Sequence, residues 1–541
     1  VDNVALLPAY LAAGTAVLVL LADLLLARWG ATVAVAAAGA VATAVGAVLV
    51  GRGGPRQTFC VADDCSYLAT GRSALVATLF ALLTLGVLAL SAPILRSAQV
   101  PPGEYCFLLA CSMTGGVVLG AAGDLITLIV ALETLTLPLY VLVGLHRAPA
   151  GAAEQSPRSD GRNLEAHRRS VASASAAVTF FVVSVVATAV TLLGVALLYA
   201  VTGAVHLRRL GTVFTAEPGL LDVPLTSAAI ALAVLGLAFK VAAVPFHAWA
   251  PATYDGAPVP VAAYLSTASK LGGVVALLAV TAPALPATVS ALPATVTALP
   301  ATVTALPATV TALPATVTGP VLALLAVLTM TVGNLVALRQ DRMVRLLAWS
   351  SVAQAGYLVA PLGALALAGG RTPEALSVAV AATVAYTVFY VLMELAAFGA
   401  VVALRPAGAD GGAIGFYRGA ARRHPWVGAA FVLALVGLAG LPPGLAGLFA
   451  KVTVVRSLLH GGAGWLAVVV ALNAVVGLAY YLRVAATLYA RVAETGPAGA
   501  PAGTIPPART PWVVAAALAA ATLVAILVGF APQLILDAAQ L

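Results

Sequence analysis

Residues 239–270 read FKVAAVPFHAWAPATYDGAPVPVAAYLSTASK. Two lysines, Lys240 and Lys270, lie here inside apolar sequence, with Pro245, His247 and Pro251 between them. The third and last lysine of the chain, Lys451, falls in a second such stretch, VGLAGLPPGLAGLFAKVTVV at 436–455. All other basic residues apart from histidine are arginines. An ionisable group at bilayer depth costs roughly 2.5–3.5 kcal/mol on insertion scales, so its presence there needs a reason. Arginine keeps its proton permanently, whereas a desolvated lysine can load and release one. Arginine in the loops and lysine only in the core therefore point to titratable amines inside a membrane protein.

The bulk composition agrees. Of 541 residues, 62% are hydrophobic and 9% charged, and the mean hydropathy is +1.06. Soluble domains carry about 25% charged residues. The apolar runs are about 20 residues or longer, which is the length of a membrane helix and not of a barrel strand. The chain reads as an all-α polytopic membrane protein of about fourteen spans. They are placed near 5–27, 31–51, 73–95, 104–122, 124–145, 171–202, 224–250, 258–283, 319–338, 343–365, 375–404, 427–459, 464–492 and 512–536. The net charge of +8 does not indicate nucleic acid, because the arginines cluster between the spans. Sixteen of them lie in or beside the loops after odd-numbered spans and seven in or beside the other loops. The richer side is expected to be cytoplasmic, with both termini outside. Span 1 lacks a basic flank and is expected to be retained in the membrane.

Spans 7 and 12 are broken, by Pro245 and Pro251 in one and by Pro442, Pro443 and Gly444 in the other. Proline-interrupted spans at corresponding positions suggest an inverted-repeat transporter. The spacing of the breaks suggests five-helix units, spans 4–8 and 9–13. The expected organisation is a three-helix segment at 1–103, a first repeat at 104–283, a low-complexity loop at 284–318, a second repeat at 319–492, and a C-terminal loop with a last helix at 493–541. The loop holds five near-identical LPATV heptads, whose regular prolines block a straight helix, and reads as a tolerated expansion. The stretch 146–170 reads as a flexible cytoplasmic loop. Cys60 and Cys65 lie in the first outer loop, where a disulfide staple is expected. Cys106 and Cys111 read as packing residues.

Proton-bearing candidates surround the lysines. Glu133, in LITLIVALETLTLPLY, is the natural charge partner of Lys240. His247 lies seven residues after Lys240, two turns along one face and roughly 10 Å away, within reach through one or two waters. It can shuttle protons. Lys270 has Ser266, Thr267 and Ser269 nearby. Tyr386, Tyr390 and Glu394 fall at i, i+4 and i+8 of span 11 and could join Lys270 to Lys451 through a wet seam. Asp23 and Asp124 are lesser candidates, with a helix cap as the alternative role of Asp124. No nucleotide, flavin or metal motif is present, so the chain can move ions but has no redox centre of its own.

The stretches LETLTLPLYVLVGL (132–145), 239–270, NLVALRQDRMVRLLAWSSVAQAGYL (334–358), LAGLPPGLAGLFAKVTVV (438–455) and GLAYYLRVA (477–485) resemble the antiporter-like membrane subunits of respiratory complex I, NADH-quinone oxidoreductase, most closely the subunit N type. Tyr254 in ATYDGAPVP stands where the L and M types and the sodium/proton antiporter subunits usually carry a histidine motif. The resemblance implies fourteen helices with two inverted five-helix repeats. It also implies a bacterial plasma-membrane location and proton translocation coupled to quinone reduction elsewhere. Glu133 would be the charged partner, Lys240 the central carrier, Lys270 the connecting lysine and Lys451 the exit-side lysine. Partner subunits would carry FMN and iron–sulfur clusters and bind quinone, with M- and K-type membrane subunits as neighbours. Two departures stand out. Thr179 replaces a lysine usual at the start of span 6, so Glu133 is expected to answer to Lys240 directly. Glu394 stands where an uncharged residue is usual. The alternatives are a cation/proton antiporter subunit and a purely structural arm subunit.

Overall fold

The structure, a computed structural model, describes residues 1–145, 160–281, 311–405, 410–491 and 510–533, with the backbone only of 160–169. Its elements are almost all helical, because a chain in lipid must satisfy its backbone polar groups internally. Among the described residues, eleven helices are long and apolar enough to cross a membrane. Spans 7 and 12 each form two shorter helices, Pro224–Lys240 with Trp249–Gly256 and Pro425–Ala439 with Leu445–His460. Span 10 is Met343–Gly363, buried along nearly all its length.

Burial orders the bundle. Of the most apolar window of each helix, 89% is buried in span 8 (Val259–Thr281) and 78% in span 11 (Pro373–Leu404), against 33% in spans 1 and 2. Spans 8, 10 and 11 are therefore the interior. The outer helices present Leu24, Val130, Val178, Leu472 and Phe530 outward, an apolar belt that only lipid or a partner can cover.

The breaks are abrupt. The first helix of span 7 ends at Lys240, Ala242 takes φ +58°, and the chain turns through Val244–Pro245 before helix resumes at Trp249. In the turn, Ala242 N and Ala243 N donate to the Phe239 and Ala238 carbonyls, and Val244 N donates to Thr329 Oγ1 of span 9 at 3.0 Å. Span 12 stops at Ala439, with Gly440 at φ +82°. The two halves pack so closely that a Cβ on Gly447 would fall 1.6 Å from the Gly437 carbonyl oxygen.

Several details differ from the expected layout. Span 8 is not one regular helix: Leu265–Ser269 forms a π-turn directly before Lys270. The span 6 helix, Asp160–Thr202, begins inside the expected flexible loop, of which 146–159 lie outside the described residues. Four LPATV repeats also lie outside them. The fifth is the start of span 9, where Pro314 caps helix Ala315–Ala337 and Leu313 N donates to the Val280 carbonyl. The loop after span 2 folds into an antiparallel hairpin, Arg56–Val61 with Asp64–Ala69, in which Cys60 and Cys65 face each other as a disulfide. An amphipathic helix, Leu207–Ala216, lies against the hairpin, and its Arg208 bonds Asp64 Oδ1 at 3.2 Å and the Asp63 carbonyl at 2.8 Å. No strand or surface-helix signal had marked either element, because both are short and sit among stronger span signals.

Candidate functional site

Lys240 ends its helix 3% exposed, and its ammonium finds an acceptor for each of its three protons. Nζ donates to Glu133 Oε1 at 2.8 Å, Thr136 Oγ1 at 3.1 Å and Ser184 Oγ at 3.2 Å. Glu133 and Thr136 come from one turn of span 5, whose helix starts at Asp124, with Asp124 Oδ1 accepting from Thr127 N at 2.7 Å. Ser184 and Thr188 come from successive turns of span 6. Thr188 Oγ1 donates to Glu133 Oε1 at 2.7 Å, and Ser184 also receives the Tyr140 hydroxyl. Thr179 is exposed, and among the described residues its hydroxyl bonds only the Ser175 carbonyl in its own helix. Span 6 thus offers hydroxyls to this pair, and Glu133 meets Lys240 directly.

Lys270 is 1% exposed, and its Nζ donates to two carbonyls, Ser351 O at 2.5 Å and Val241 O at 3.1 Å. Val241 is the first residue past the span 7 helix. Ser266 and Thr267 do not face the amine but bond the Ala263 carbonyl of their own helix. Lys451, 9% exposed, donates to the Ala439 carbonyl at 2.7 Å and lies 4.8 Å over the Tyr357 ring. Ala439 is the last residue of the first span 12 helix. Each broken span thus ends a helix whose unpaired terminal carbonyls point at a buried lysine, and the negative end of the helix dipole favours a cation there.

Between Lys270 and Lys451 runs a seam of polar side chains. Tyr390 OH donates to the Ser266 carbonyl at 2.7 Å and lies 2.8 Å from Ser351 Oγ. Tyr386 OH donates to Gln354 Oε1 at 2.6 Å. Gln354 Nε2 donates to Tyr481 OH at 3.1 Å and to the Leu438 carbonyl at 3.0 Å, next to the carbonyl that holds Lys451. Ser350 Oγ and Tyr481 OH are 2.5 Å apart. Glu394 is fully buried one turn beyond Tyr390.

One expected juxtaposition is corrected. Lys240 and His247 do not share a helix face, because the helix stops at Lys240 ahead of the Pro245 turn. His247 is half-buried, its ring tilted 5.2 Å from Trp349, and it is not among the hydrogen-bond partners of Lys240. Asp23 accepts from Thr32 Oγ1 at 3.3 Å. The site residues that sequence reading passed over are Thr136, Ser184, Thr188, Ser350, Ser351, Gln354 and Tyr481. Their signal was a polar side chain inside an apolar span, strongest for SSVAQ at 350–354.

The family described as NADH:quinone oxidoreductase/Mrp antiporter, transmembrane, matches residues 164–316 and 280–477. NADH-quinone oxidoreductase subunit N of Salinispora tropica is 66% identical, over 100% of this chain and 98% of its own length. Subunit N 2 of Streptomyces griseus is 40% identical, over 99% and 93%. Among solved structures, a chain of respiratory complex I from Thermus thermophilus is 27% identical with a TM-score of 0.69, over 98% of both chains. A chain of the Mrp complex from Dietzia superposes with a TM-score of 0.73 at 22% identity, over 100% of this chain and 97% of that one, a likeness of fold.

Proposed function

The chain belongs to the subunit N family of NADH-quinone oxidoreductase, and on that premise we propose that it carries protons through the membrane along Glu133–Lys240, Lys270 and Lys451. The observation that carries this reading is the way the three lysines are seated. Lys270 and Lys451 rest on main-chain carbonyls, Val241 and Ala439 at the helix breaks and, for Lys270, also Ser351 inside span 10. A carbonyl seat accepts a hydrogen bond from an ammonium or from a neutral amine, so losing the proton leaves no counter-charge stranded. Lys240 differs, because Glu133 holds its ammonium. Moving Glu133 away, or neutralising it, weakens the hold on the Lys240 proton. Glu133 is therefore the lever, Lys240 the first carrier, and Lys270 and Lys451 the carriers beyond it. His247 lines the span 7 turn and serves this path only through intervening groups.

The chain contributes no redox centre to this scheme. Quinone reduction in partner subunits bearing FMN and iron–sulfur clusters would drive it, with M- and K-type membrane subunits as neighbours. Moving a charge outward opposes about 2.3 kcal/mol per 100 mV, which such chemistry must supply. The two five-helix repeats, the low-complexity loop and the flanking segments form the corresponding division of the chain.

The test is proton pumping by the reconstituted, fully assembled complex carrying Lys240→Arg. Arginine keeps the charge but does not release the proton. Pumping at least tenfold below wild type is expected. Pumping at the wild-type rate makes Lys240 a fixed charge and removes it from the relay.

A further inference from the structure

Glu394 stands apart from every other acidic residue in the interior. It is fully buried in the most enclosed part of span 11, and no donor among the described residues hydrogen-bonds either carboxyl oxygen. A carboxylate held only for packing would be expected to collect donors, as Glu133 collects Lys240 and Thr188. The surroundings of Glu394 are of a different kind. It sits on the buried face of span 11 one turn beyond Tyr390, among the fully buried phenols of Tyr254, Tyr390 and Tyr481. Tyr390, one turn earlier, touches Ser351 Oγ, while the Ser351 carbonyl holds the Lys270 ammonium. Glu394 and Lys270 thus flank one polar cluster from different helices.

We propose that Glu394 and Lys270 form an acid–base pair coupled through the Ser351–Tyr390 cluster between them, making Glu394 a further proton-carrying group on the path to Lys451. The inference rests on the relay reading above. With one proton between them the pair is neutral overall, as carboxylate with ammonium or as carboxylic acid with amine. A proton arriving from the Lys240 side gives carboxylic acid plus ammonium, a pair of charge +1. Releasing one proton toward Tyr481, Gln354 and the Lys451 seat restores neutrality, so each cycle takes in one proton and passes on one. Burial makes a lone charge costly at this depth, and the second group keeps the resting pair neutral. The orphaned carboxyl oxygens are what this role requires, since a carboxylate locked by fixed donors would not take up a proton readily.

The experiment uses the whole complex in proteoliposomes, with Glu394→Gln, Glu394→Asp and Lys240→Arg compared for protons moved per NADH oxidised. Infrared difference spectra of resting and turning-over complex are recorded in parallel in light and heavy water. Glu394→Gln is expected to cut pumping at least threefold, and Glu394→Asp to recover part of it. The wild-type spectrum should show a carboxylic-acid carbonyl band that changes on turnover, shifts in heavy water, moves in the aspartate variant and is missing from the glutamine variant. Normal pumping by Glu394→Gln beside a dead Lys240→Arg overturns this inference and leaves the relay standing. Normal pumping by both overturns the two together. Lost pumping in Glu394→Gln without any turnover-linked carboxyl band in wild type makes Glu394 a fixed structural acid, and also overturns it. If the glutamine variant does not assemble, the absence of that band from wild type decides against the proposal by itself.

Discussion

Each buried lysine is defined by its acceptors. Lys240 has a carboxylate and two hydroxyls, whereas Lys270 and Lys451 have carbonyls. Ser184 has two tasks, accepting from Lys240 Nζ and from the Tyr140 hydroxyl. Ser184→Ala leaves both donors short of a partner at a buried position. A cost of about 1–3 kcal/mol is expected, read as a lower thermal-unfolding midpoint of the purified complex and reduced pumping. An unchanged midpoint shows that another acceptor replaces the serine. At this scale the sequence was partly legible. The lysines and Glu133 stood out because charge in an apolar run is rare. Ser184 and Gln354 did not, because serine and glutamine are common enough in membrane helices that only their partners mark them.

At the scale of single elements, the broken helices decide the chemistry. Proline and glycine showed where spans 7 and 12 would break, since proline lacks the N–H that a continuing helix needs. The reach of each break was not legible. The expectation that Lys240 and His247 share a face required the helix to continue past Val241, and it ends one residue earlier. The π-turn before Lys270 has no sequence signature of its own and is set by packing in the most buried span. In span 12 the two halves meet through Gly437 and Gly447. Gly447→Ala must force them apart, and a loss of about 1–3 kcal/mol or more is expected from overpacking, with the Lys451 seat displaced and pumping reduced. Gly464→Ala, whose Cβ would lie 3.8 Å from Leu459 Cδ2, is the matched control. It is expected to change the thermal midpoint by less than about 0.5 kcal/mol equivalent. Equal effects from the two would show that the span 12 contact is not tight.

For the whole molecule, loop charge predicts an orientation that is open to direct test. With the arginine-rich loops cytoplasmic, the loop after span 6 faces outward and the loop before span 12 faces inward. Gly219→Cys should react with a membrane-impermeant thiol reagent on intact cells, and Arg423→Cys only after permeabilisation. Both positions are exposed. The reverse pattern inverts the topology. On the side expected to be cytoplasmic, Arg342 binds Asp255 Oδ2 at 2.8 Å and Asp410 Oδ2 at 2.9 Å, tying the second helix of span 7 to the loop after span 11. Sequence by itself determined the solvent, the helical class, the places where helices break and the amines that lie inside. These are local properties, because hydropathy and the missing proline N–H act within a turn or a span of the residue that carries them. Beyond the expected Glu133 partner of Lys240, only the tertiary structure decided what each amine touches. Glu133 and Lys240 are 107 residues apart, Lys270 and Ser351 are 81 apart, and Gln354 and Leu438 are 84 apart. Such pairs depend on how helices cross, and buried polar groups select among crossings only once the bundle has formed, when an unmet donor or acceptor becomes costly.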